Sequence, residues 1–104
     1  MTVPNLDIPH DRLADFCRKW KIVELSLFGS VLREDFGPGS DVDVLVEFQT
    51  DSGWSLFDVG ALYRDLEELF GRRISLVERR ALMKHHNGWL RHEILSTAQQ
   101  VYAA

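Results

Sequence analysis

The stretch from Leu25 to Phe48 constrains the fold more than any other part of the chain. It reads Leu25-Ser26-Leu27-Phe28-Gly29-Ser30-Val31-Leu32-Arg33 and, after a gap of ten residues from Ser30, Asp41-Val42-Asp43-Val44-Leu45-Val46-Glu47-Phe48. The pattern is an apolar strand, a tight turn into a short helix, a Gly37-Pro38-Gly39-Ser40 loop and a second strand. A glycine at the end of a strand lets the backbone approach a ligand closely. Amides opening a helix, with its dipole behind them, form an anion site. Ser30 adds a hydroxyl donor, and Arg33, about one helical turn on, brings a cation to the same phosphates.

Side chains alternate along a strand, so Asp41, Asp43, Leu45 and Glu47 share one face of the second strand, and Val42, Val44, Val46 and Phe48 share the other. With a rise near 3.3 Å per residue, the two aspartates project together roughly 6 to 7 Å apart. Magnesium between them relieves their repulsion and brings phosphate oxygens as further ligands. A lone Gly-Ser is usually a turn and a lone Asp-x-Asp usually a solvated strand end. Their conjunction on two apolar strands, in this order, is far more specific.

On these residues the chain resembles a minimal nucleotidyltransferase of the DNA polymerase β superfamily, whose signature is Gly-Ser, a gap of about ten residues, then Asp-x-Asp. The resemblance extends through the amphipathic helix ending at Gly71, a short strand Ile74 to Glu78 and a closing helix ending at Val101-Tyr102. It implies a small α/β (α+β) nucleotidyltransferase fold, a short mixed sheet flanked by helices, with residues 1–104 as a single domain. It also implies that Gly29, Ser30 and Arg33 bind the triphosphate of ATP. Asp41 and Asp43 would be the catalytic and metal-binding pair, holding two magnesium ions while an acceptor hydroxyl displaces pyrophosphate. Minimal members of the family commonly pair with a HEPN-domain toxin, for which the nucleotidyltransferase is the antitoxin and which it can adenylylate.

One position departs from the family pattern. A third carboxylate is normal on the strand after the long helix, and here Ile74-Ser75-Leu76-Val77-Glu78 places Ser75 there. Serine is a weak metal ligand and no general base near neutral pH. Glu78 lies three residues on and points to the opposite strand face. Glu47 shares the face of the aspartate pair and could reach inward. Two readings follow: an enzyme that transfers AMP to a hydroxyl, and a nucleotide-binding antitoxin that neutralises its partner by contact.

The remaining sequence agrees with a modest domain. Twelve basic residues against sixteen acidic give a net charge of -4, and no Lys/Arg stripe with interleaved aromatics appears, so direct nucleic-acid binding is not expected. Cys17 has apolar neighbours and reads as core. No signal peptide or membrane span is visible, and a cytoplasmic location is expected. The oligomeric state stays open.

Leu13, Phe16, Cys17 and Trp20 form one face of a helix that starts near Ile8-Pro9-His10-Asp11. A strand over Val23 to Phe28 and a polar loop over Gln49 to Gly53 are expected around the motif. Ser55 and Asp58 have capping-box spacing ahead of a helix lined by Val59, Leu62, Leu66, Leu69 and Phe70 and closed by Gly71. The last helix is expected from about Gly88 to Tyr102, with Leu90, Ile94, Leu95, Ala98, Val101 and Tyr102 on one face, for its own sheet or for a partner. His10, His85, His86 and His92 lack ligand spacing, which argues against zinc. Arg72, Arg73, Arg79 and Arg80 flank the third strand as a solvated cluster, or alternatively touch the nucleotide or an acidic partner.

Overall fold

The computed structural model describes residues 6–33, 37 and 39–104; Pro38 of the expected loop lies outside them. Helix α1 (His10–Lys19) turns its periodic residues Leu13, Phe16 and Cys17 into the core. Strand β1 (Ile22–Phe28) follows and runs into a single 3-10 turn, Gly29–Leu32. Strand β2 (Val42–Phe48) begins one residue later than the alternation suggests, so Asp41 sits just ahead of it.

Helix α2 (Leu56–Phe70) has the expected start and stop. Ser55 Oγ accepts from the Asp58 amide at 3.3 Å, and the Asp58 carboxylate accepts from the Ser55 amide at 2.9 Å, so both exposed donors are paired. Gly71 ends the helix at φ 68°, a left-handed conformation that side chains resist. Strand β3 (Ile74–Glu78) comes next, then a short helix α3 (Arg79–Met83) not anticipated from sequence.

The expected closing helix is corrected by the structure. Helix α4 covers only Gly88–Thr97, and Gln99–Ala103 forms strand β4, antiparallel to β1 with Tyr102 opposite Leu25. Val101 and Tyr102 favour pleated backbone, and the open edge of β1 offers them a hydrogen-bond ladder that a longer helix would not. The break falls at Ala98, whose backbone is extended at φ -60°, ψ 136°.

The sheet order is β3-β2-β1-β4; β1 is antiparallel to β2 and β4, and β2 is parallel to β3. The expected mixed sheet flanked by helices is therefore present. Val42, Val44 and Val46 of β2 enter a core shared with α1 and α2. Leu45, from the other face of β2, joins Leu82 of α3 and Ile94 of α4. Side-chain contacts fasten the first layer: Asp65 of α2 accepts from Lys19 Nζ at 2.8 Å and Trp20 Nε1 at 3.1 Å, and Trp54 Nε1 donates to the Trp20 carbonyl at 2.8 Å. Among the described residues, no helix is long and apolar enough to cross a membrane.

Candidate functional site

The Gly29 turn and the aspartate pair meet at one end of the sheet. In the β1–β2 ladder Phe28 lies opposite Asp43, so the residue after Phe28 folds directly over the Asp43 side chain. Gly29 has φ +76°, and a Cβ added there would stand 2.2 Å from Asp43 Oδ2. Glycine is thus required twice, for its backbone conformation and for the space the carboxylate takes. Val31, completely buried, pins the turn into the main core. With only four residues in 3-10 geometry, the turn lacks the helix dipole expected from sequence. What it offers an anion is close backbone approach and local amides.

Arg33 follows the turn, donating its amide to the Ser30 carbonyl at 2.9 Å. Burial pushes the Asp43 carboxyl up from its ordinary value, and the charge of Asp41 pushes it the same way; Arg33 pulls it down. The electrostatics thereby tie Asp41, Asp43 and Arg33 together.

Asp41 has a cation of its own. Arg73 Nε stands 3.2 Å from Asp41 Oδ1, the Arg73 carbonyl accepts from the Val42 amide at 2.8 Å, and a guanidinium nitrogen of Arg73 donates to the Gly39 carbonyl at 3.3 Å. Arg72 donates to the carbonyls of Gly37 and Ser40. These two arginines are fasteners for the segment entering β2, a role that residue type alone did not reveal. Arg79 bridges Glu24 at 3.4 Å and Glu47 at 3.6 Å, neutralising two carboxylates that face each other across β1 and β2. Arg80 donates to the Phe48 carbonyl at 3.1 Å. The four arginines thus touch the fold while Arg73 and Arg80 remain exposed to solvent.

The register settles which residue neighbours the pair. Ser75 of β3 lies directly beside Asp43 of β2, at the strand position where a third carboxylate would project. Glu78 is committed elsewhere, accepting from the Ala81 amide at 2.9 Å as the cap of α3. Glu47 is four residues along β2 from Asp43, about 13 Å at the usual rise, and held by Arg79. Neither pairs with Asp43 in the strand registers.

The donor set suits a magnesium–nucleotide complex. Two carboxylates held beside a glycine turn are what magnesium takes from protein when phosphates supply its other ligands. No cluster of three His, Cys, Asp or Glu occurs among the described residues, so a self-contained protein cage is not what these side chains build. Cys17 is buried and its thiol is pushed up to about 12, which leaves it inert.

Comparison with known proteins points the same way as the geometry. Residues 11–96 match the model of the nucleotidyltransferase domain family. A relative from Methanocaldococcus jannaschii, named "Putative protein adenylyltransferase MJ1379", is 29% identical over 76 residues, 73% of each chain. A solved structure described as a "putative minimal nucleotidyltransferase" is 31% identical with a TM-score of 0.65, over 86% of this chain and 85% of that one. A chain in the complex of tri-AMPylated Shewanella oneidensis HEPN toxin with MNT antitoxin shares the fold at 18% identity and a TM-score of 0.60, over 91% of this chain and 70% of that one.

Proposed function

This chain belongs to the nucleotidyltransferase domain family, and on that premise we propose that it transfers AMP from ATP to a hydroxyl group of a partner protein, a HEPN-domain toxin for which it is the antitoxin. The observation that carries the site assignment is the Gly29 backbone lying against Asp43, with Asp41 two residues away. The protein acceptor is supported by the adenylyltransferase relative, and the toxin by the AMPylated complex that shares the fold.

The residues divide the work by position. The Gly29-Ser30 turn holds the polyphosphate by backbone approach, and Arg33 adds positive charge on the same side. Asp41 and Asp43 would hold the metal. Magnesium, when bound there, neutralises the phosphoryl oxygens and lowers the pKa of the attacking hydroxyl. A bond forms between the acceptor oxygen and the α-phosphorus, and the bond from that phosphorus to the bridging oxygen breaks, releasing pyrophosphate. The acceptor proton leaves to solvent, because Ser75 offers a hydroxyl where a base would stand.

Ser75 also favours a second reading, in which the chain keeps the nucleotide site and neutralises its partner by contact alone. Transfer from α-labelled ATP onto protein in a lysate of the source cell separates the two. Label on a small protein from the native chain, and none from Asp43→Asn, supports transfer. Label that appears only after Ser75→Asp supports binding without chemistry.

A further inference from the structure

We propose that the cavity between the Gly29 turn and α4 receives the base of the nucleotide and selects a purine with an exocyclic amino group. The inference deepens the proposed function and rests on it. The cavity encloses about 540 Å³, inside the ~300 to 1,000 Å³ typical of small-molecule sites. Gly29 is part of its wall, so the cavity begins where the polyphosphate site ends.

Its two sides are apolar. Phe28 and Leu32 line it from the turn, and Leu90 and Ile94 line it from α4. A flat heterocycle gains from burying both faces between such walls, and Phe28 supplies an aromatic surface for stacking. Ile94 is itself buried against Leu45 and Leu82, so the α4 wall is anchored to the sheet.

The polar side chains of the lining are those of Arg33, Glu93 and Thr97, the last two exposed to solvent. Arg33 is on the side of the turn, whereas Glu93 and Thr97 lie one helical turn apart on α4. The Thr97 hydroxyl donates to the Glu93 carbonyl at 2.6 Å, so its hydrogen is already committed. An ionised Glu93 carboxylate is an acceptor only. The α4 margin therefore presents acceptors, which pair with an amino group and repel a carbonyl oxygen. The apolar area favours two rings over one.

Calorimetric titration with magnesium tests this, using inorganic tripolyphosphate, ATP and purine riboside triphosphate, which lacks only the amino group of ATP. For the native chain, ATP is expected to bind at least about tenfold tighter than tripolyphosphate, the size of one stacked base. Ile94→Trp, or the milder Leu90→Phe should the first fail to fold, brings ATP down to the tripolyphosphate level and leaves tripolyphosphate itself unchanged. Glu93→Ala removes the preference for ATP over purine riboside triphosphate. ATP no tighter than tripolyphosphate, or ATP binding untouched by filling the cavity, overturns the pocket while the phosphate and metal site stands. Failure of tripolyphosphate and ATP alike removes the proposed nucleotide site, and the pocket with it.

Discussion

The two faces of the sheet are built to different standards. Against α1 and α2, seventeen described residues form one buried cluster; against α3 and α4 the corresponding cluster has three, Leu45, Leu82 and Ile94. Strand β2 belongs to both. Its even-numbered valines fill the thick layer, while Asp43, Leu45 and Glu47 face the thin one. Period-two alternation lets one strand be held rigidly from behind while carrying costly groups in front. The thin layer accommodates a desolvated carboxylate, a left-handed glycine and a cavity because the thick layer supplies most of the stability.

The sharpest way to break this division is to weaken each layer separately. Leu66 of α2 is fully buried, and Leu66→Ala should cost about 3 kcal/mol in denaturant unfolding. Affinity of the remaining folded protein for magnesium–ATP should not change. A large loss of affinity would show that the layers are not separable.

Gly29→Ala is the converse case. The left-handed backbone costs an L-residue about 1 to 2 kcal/mol, and the new methyl group must displace the Asp43 carboxylate. Magnesium-dependent ATP binding should fall by more than the stability loss explains. Leu82→Ala, in the thin layer, should cost less than the Leu66 change, about 2 kcal/mol, because a shallow site relaxes into the space. Equal costs for the two leucines would erase the distinction between the faces.

The smallest effects are in pH. Asp65, on the thick side, is held below its ordinary value near 3.8, chiefly by its hydrogen bond from Lys19. Its stabilisation is present above the unfolded value and lost as pH falls through the folded one. Asp43 is shifted the other way by burial and by Asp41, so the fold loses stability as pH rises from about 3.8 through its raised value. Melting temperature against pH should show Asp65→Asn flattening the acid loss and Asp43→Asn removing the opposite trend. Parallel curves would contradict both assignments.

Much of this architecture was legible in the sequence because it is local. The alternation of β2, the Ser55–Asp58 box and Gly71 each act within a few residues, and each appears as expected. Strand β4 was hidden because Leu95, Ala98, Val101 and Tyr102 also fit a helical period, and only the unpaired edge of β1, more than seventy residues earlier, decides between them. Helix α3 is five residues long, too short for a periodic signal. At the site, the sequence brought Gly29, Asp41, Asp43 and Ser75 into one argument, and the strand registers place Asp43 between Phe28 and Ser75. The grip of Arg73 on Asp41 and of Arg79 on Glu47 depends on β3 lying parallel to β2, a pairing that no local pattern specifies.

Under the proposed function, Asp43 serves ligand rather than fold. Thermal melting and magnesium-dependent ATP titration, performed together on the native chain and Asp43→Asn, test it most directly. Asp43→Asn is expected to melt no lower than native at neutral pH, since a desolvated charge beside Asp41 has been removed, yet to lose magnesium-dependent ATP binding by about a hundredfold or more, the scale of losing a metal ligand's electrostatic contribution. A variant that melts lower while binding magnesium–ATP as tightly as the native chain would contradict it.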